Sequence, residues 1–135
     1  MSKDYSIVAL IDLEYQPENI FDILKRGKEI GFFYLKPDLM QYNPILLRSI
    51  PDEKAALSIL DIEKFLVAHF ENTFFFFYIS NKDGEIEICL NHFSYPWYKS
   101  YSSLNIEDID ILRYAKILMD LIMPWRILSF SIERK

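Results

Sequence analysis

Cysteine is nearly absent: Cys89 is alone among 135 residues, which rules out an intrachain disulfide and a zinc framework and suits a reducing compartment. Glycine is scarce too. With only three in the chain, no Gly-rich phosphate-cradling loop can be assembled. Histidine is limited to His69 and His92, so the usual general acid or base has two candidate positions, neither with a companion at zinc-site spacing. Positive charge is outweighed, with 15 Lys and Arg against 20 Asp and Glu, a net charge of −5 and a pI near 5.0. Such a balance disfavours nucleic-acid binding and steers a basic partner inward instead. Long apolar runs are missing as well. Asp120 interrupts Ile117 to Ile122, and the stretch Ile7 to Ile11 runs at once into Asp12 and Glu14, too short for a signal h-region or a membrane span. The expectation is a soluble, cytoplasmic protein with no membrane, nucleic acid or cofactor in its function.

What is present is large side chains. Aromatics make up 16% of residues, and hydrophobic residues 51%, enough to fill a core and leave some for a surface. The chain is one domain's worth, residues 1–135, and a domain of this size buries roughly 70% of its unfolded surface. The run Thr73-Phe74-Phe75-Phe76-Phe77-Tyr78-Ile79 meets Asn81-Lys82-Asp83-Gly84 and then the alternating Glu85 to Leu90, the pattern of a β-hairpin. Its first strand has no polar face and belongs in the middle of a sheet, covered on both sides or nearly so. Its second strand puts Ile86, Ile88 and Leu90 on one face and Glu85, Glu87 and Cys89 on the other.

Around that hairpin, Tyr5 to Glu14 reads as a strand, with Ile7, Ala9, Ile11 and Leu13 on one face. Pro17 opens a helix that Gly31 stops, and Phe32 to Leu35 resumes as a strand. Residues 36 to 50 read as irregular, with a short edge strand at Ile45 to Leu47 as one option. Pro51-Asp52-Glu53 opens a second helix that runs to near Phe70, with Asp61 as the N-cap of a fresh start. A third helix covers Ile106 to Met123, with Ile109, Leu112, Ala115, Met119 and Ile122 at helical spacing, and Arg126 to Glu133 closes the chain as a strand. The fold expected is α+β: a mixed or antiparallel sheet of about five strands around the central hairpin, with about three helices.

Candidate chemistry is thin. His69 on the apolar side of a helix end suits a packed residue better than a base. Cys89 and His92 are three apart on a strand and so point to opposite faces, which argues against a Cys-His nucleophile pair. Asp12 with Glu14 and Glu85 with Glu87 are carboxylate pairs at i, i+2; two on one strand more often make a solvated face than flank a substrate. The connection His92 to Ser103 is different. It carries Tyr95, Trp97, Tyr98 and Tyr101, the residue types that dominate binding hot spots, and is followed by Glu107, Asp108 and Asp110 at a helix start. The same loop could equally be packed down as a core lid.

A short, acidic α+β domain without a catalytic constellation, rich in aromatics and carrying Asp83, Glu85, Glu87, Glu107, Asp108 and Asp110, resembles the immunity proteins of bacterial toxin-immunity systems, including those of contact-dependent growth inhibition. The resemblance implies an inhibitor rather than an enzyme. Its partner would be a cognate protein toxin, basic and often a nuclease, blocked at its active or target-binding surface. The partner-binding residues would be Tyr95, Trp97, Tyr98 and Tyr101 with those carboxylates. Two other readings stay open: a small ligand-binding or catalytic domain using Cys89, His92 and the aromatic loop, and a subunit that is stable only as a homo-oligomer.

Overall fold

In the computed structural model, which describes residues 5–38, 46–71, 73–92 and 111–134, three helices lie on a sheet of seven strands. β1 (Tyr5–Glu14) leads into α1 (Pro17–Ile30), then β2 (Phe33–Asp38) and β3 (Leu46–Ser49). α2 (Glu53–Glu63) precedes β4 (Phe65–Phe70), β5 (Thr73–Lys82) and β6 (Glu85–His92), and α3 (Ile111–Ile122) precedes β7 (Ile127–Arg134). The order across the sheet is β3-β2-β4-β5-β6-β1-β7, and every neighbouring pair is antiparallel. The fold is therefore α+β with an antiparallel sheet, with more strands than the five or so expected.

The extra strands have identifiable causes. Residues 65–70 continue the apolar character of the second helix, yet Lys64 adopts a left-handed φ of 71° and its N–H caps Leu60 O, so the chain turns out of α2 and Phe65–Phe70 pairs with β2 and β5. A β-branched and aromatic content fits a pleated surface better than a helix. Asp61 is no N-cap; it sits inside α2, and that role belongs to Asp52, whose side chain accepts from Ala55 N. β3 is the short edge strand that residues 45 to 47 offered as an option.

The hairpin is central, β5 being fourth of seven strands. Its turn has two central residues, Asp83 (φ 53°) and Gly84 (φ 92°), both left-handed; such a turn matches the twist of the strands it joins. Asn81 Oδ1 accepts from Gly84 N at 2.8 Å and holds it closed.

One continuous core joins one face of the sheet to all three helices. The sheet contributes Ile7, Ala9 and Ile11 of β1, Tyr34 of β2, Leu66 and Ala68 of β4, Phe75, Phe77 and Ile79 of β5, and Ile86, Ile88 and Leu90 of β6. The register makes these a single face, since Ile7 lies opposite Leu90, Leu90 opposite Phe77 and Phe77 opposite Leu66. Onto it pack Ile20, Ile23 and Leu24 of α1, Ala56 and Leu60 of α2, and Tyr114, Ile117, Leu118, Leu121 and Ile122 of α3. α3 is thus phased differently from the sequence expectation: Leu112 and Met119 are exposed while Tyr114, Leu118 and Leu121 are buried. The helix is apolar over more than half its circumference, so spacing alone allowed either phase. Residues 106 to 110, the expected first turn, lie outside the described residues.

Candidate functional site

The other face of the sheet carries no residue of that core. Period-two alternation sends to it every second residue of each strand, and the register divides it into two halves. On β2, β4 and β5 it presents Phe33, Phe65, Val67, His69, Phe74, Phe76 and Tyr78; on β6 and β1 it presents Glu85, Glu87, Cys89, Asn91, Ser6, Val8 and Leu10. Val67, Phe74 and Ser6 are buried, Phe65, His69, Phe76 and Tyr78 are half-buried, and Phe33 is exposed. β5 is therefore nearly covered on both sides, as its unbroken aromatic run led us to expect, though less completely on this one, where Phe76 and Tyr78 are half-buried. Alternate Phe residues go to opposite faces, and only Phe75, Phe77 and Ile79 lie under the helices.

The aromatic half is mutually packed. Phe65 meets Phe76 edge-on at 5.7 Å between centroids and Tyr78 at 5.8 Å. His69 stacks on Phe74 at 4.4 Å and lies 6.4 Å from Phe33. Burial among these rings lowers the His69 pKa, because the charged imidazolium is the form that loses hydration. Burial likewise raises that of Tyr78, with Cys89 adding to the effect. His69 is thus a packed residue, as expected, but of a strand rather than of a helix end.

Beside the rings is an acidic end. Glu85 lies opposite Lys82 on β5 and opposite Glu14 on β1, while the bulge after Ile11 carries Asp12 out to the surface beside Arg126, at 4.0 Å. Lys82 Nζ reaches Glu87 at 3.6 Å. Asp83, exposed at the turn, completes a group of five carboxylates, Asp12, Glu14, Asp83, Glu85 and Glu87, with Lys82 and Arg126 as its paired cations. Like charges directly opposite, as at Glu14 and Glu85, are destabilising in a sheet. A cation brought by a partner would relieve that cost.

Of the carboxylates the sequence singled out, Asp83, Glu85 and Glu87 therefore share this end of the sheet. Tyr95, Trp97, Tyr98, Tyr101, Glu107, Asp108 and Asp110 lie outside the described residues. Positions 89 and 92 fall on opposite parities of β6, as expected: Cys89 pairs with Tyr78 and Val8, His92 with Phe75. The Cys89 thiol donates to Asn91 Oδ1 at 3.0 Å. Among the described residues no group of three or more His, Cys, Asp or Glu is placed to hold a metal ion, and no helix is long and apolar enough to cross a membrane.

Sequence reasoning missed Phe33, Phe65, Phe76 and Tyr78 as surface residues. The signal that could have found them was parity within the run 74 to 79. Reading residues 65 to 70 as helix hid the neighbouring strand that gives the rings their company.

A concavity lies on the helix side. A cleft of about 450 Å³ opens between the β1–α1 junction and α2. Tyr15, Pro17, Ile20, Leu57, Leu60 and Ile79 make its apolar wall, and Gln16, Ser58 and Asp61 its polar contribution.

Comparison with known proteins returns no family model that matches the chain, and no curated protein or solved structure matches it.

Proposed function

We propose that this chain is an inhibitor of the immunity-protein kind, which binds a basic protein toxin and blocks the toxin's active or target-binding surface. The observation that supports this reading most is the second sheet face, where the half-buried rings of Phe65, Phe76 and Tyr78 lead along β5 and β6 to five carboxylates. Aromatic contact area supplies residence and carboxylates supply steering: opposite charge raises the association rate, and buried aromatic anchors slow departure. A net charge of −5 extends the same field beyond the contact patch.

The test is capture from the native host with the natural chain and with the double variant Glu85→Lys, Glu87→Lys. The reading expects one basic protein retained by the natural chain, released by high salt and lost with the variant. Capture of no basic protein, or equal retention by a folded variant, would overturn it.

The cleft between α1 and α2 favours a second reading, a small-ligand-binding domain. Its volume falls in the range of roughly 300 to 1,000 Å³ typical of ligand pockets, and its wall is apolar with one carboxylate, suited to a small apolar amine. Filling it with Leu57→Trp would abolish such binding and leave toxin capture intact, which separates the two readings.

A further inference from the structure

The cleft between the β1–α1 junction and α2 reaches the core. Ile20 of α1, Leu60 of α2 and Ile79 of β5 belong both to its wall and to the core cluster, so its floor is set by packed elements. Leu57 is half-buried beside them, and Tyr15 adds a ring that is 38% exposed. A volume of about 450 Å³ is the space of about 15 waters at roughly 30 Å³ each. The occupant it suits has an apolar body and is no bare ion.

Charge in the wall has one sign. Among the described residues that form it, none is basic and one, Asp61, is acidic. An anion finds little here. Pro17 has no N–H, the N–H groups of Asn19 and Ile20 both go to Gln16 O at 3.0 and 3.1 Å, and Glu18 places a carboxylate in the first turn of α1. Asp61 is open by contrast. Its carboxylate has no ion pair or hydrogen bond among the described residues, and Lys64 gives its ammonium to the Asp61 backbone O instead, at 2.7 Å. Asp61 also lies in the last turn of α2, which has no basic residue, and there the helix dipole disfavours negative charge. Helix stability does not account for a carboxylate at this position, and a cation in the cleft would offset its cost.

The kind of cation follows from the neighbouring polar groups. Ser58 is one turn before Asp61 on the same side of α2, and Gln16 lies on the junction side of the cleft. Each carries a side-chain oxygen. Three acceptors match the three N–H donors of a primary ammonium. A quaternary ammonium has no donor and is ordinarily held by several aromatic faces, whereas the ring in this wall is Tyr15 alone.

We propose that the cleft binds an apolar primary amine in its ammonium form, with the body on Ile20, Leu57, Leu60 and Ile79 and the head group shared by Asp61, Ser58 and Gln16. The assignment rests on the small-ligand reading of the cleft and narrows it to one charge state and one head group.

Amide chemical-shift mapping on the full chain tests it with probes that share one body: phenethylamine, its trimethylammonium derivative, phenethyl alcohol and hydrocinnamate. At neutral pH the amine is expected to shift amides of residues 15–20 and 57–61 saturably. It should bind at least about tenfold more tightly than the other probes, the scale of one charge-assisted hydrogen bond. Asp61 is exposed, so Asp61→Asn keeps the fold and should weaken the amine by a similar factor, while Leu57→Trp removes the shifts. Equal affinity for the alcohol or for the trimethylammonium probe, or an amine affinity indifferent to Asp61→Asn, would overturn the primary-ammonium assignment and leave the cleft a small-ligand site. If no probe shifts these amides, or if the shifts survive Leu57→Trp, the assignment and the small-ligand reading fall together.

Discussion

Phe75 and Phe76 are neighbours of the same residue type on one strand, yet Phe75 is fully buried against Tyr114 of α3 while Phe76 is half-buried beside Phe65 on the other side of the sheet. The helix face joins sheet and helices in one continuous cluster; the second face holds rings, among them Phe65 with Phe76 and His69 with Phe74, that give way to carboxylates. Aromatic content therefore has two roles here. Burial against three helices supplies stability, and on the second face the rings run from the buried Phe74 through the half-buried Phe65, Phe76 and Tyr78 to the exposed Phe33.

The largest effect that would break this comparison comes from truncating the two rings in turn. Phe75→Ala should cost about 3 to 5 kcal/mol by denaturant titration, the usual range for a buried Phe, and Phe76→Ala clearly less. Equal losses would mean that the two faces are equally covered.

Next in size is Gly27→Ala in α1. Inside a helix this change ordinarily stabilises by up to about 1 kcal/mol. Here the added Cβ would overlap the Tyr34 hydroxyl, which is buried and donates to Leu24 O at 2.8 Å. Burial, reinforced by the charge of Glu53, pushes that hydroxyl's pKa far above the usual tyrosine value, so it stays a donor. Gly27→Ala should therefore destabilise by about 1 to 3 kcal/mol, the range for overpacking, and should cost less in a Tyr34→Phe background. The helix layer then proves as closely fitted to its face as the strands are.

A smaller change loosens the helix layer without touching either face. Asp52→Ala removes the acceptor for Ala55 N at the start of α2 and should lower stability by about 1 kcal/mol, with binding at the second sheet face unchanged.

The smallest effect belongs to the second face and depends on pH. The folded-state pKa of His69 lies below its ordinary 6.5, so on acidification the unfolded chain takes up the proton first. Its contribution to stability is fully present above about pH 6.5 and is lost progressively below it. Comparing the natural chain with His69→Phe across that range should show a shallower fall for the variant. An identical slope would mean that His69 is fully hydrated and that the aromatic half is open to water.

Much of this was legible in the chain. Alternation in Glu85 to Leu90 and the Asp83-Gly84 turn define the hairpin, Pro17 and Gly31 bound α1, and Ile7, Ala9 and Ile11 are a core face by parity alone. These features are local: a turn that demands left-handed φ or a period of two needs no knowledge of the rest of the fold. Residues 65 to 70 were not legible, because a short apolar run satisfies both a helix and a buried strand until its neighbours are known. The phase of α3 was hidden likewise, since a helix apolar on several sides is oriented by what it packs against.

The sequence by itself determined the class of the protein: acidic, aromatic-rich and α+β, with a hairpin at its centre and no motif for phosphate, zinc or disulfide chemistry. Tertiary structure alone decided which aromatics are core and which are surface. It brought Asp12 and Glu14 from one end of the chain to Asp83, Glu85 and Glu87 in the middle, and it set β7 beside β1 at the end of the sheet. Periodicity specifies the two faces of a strand, but only long-range pairing specifies what each face meets.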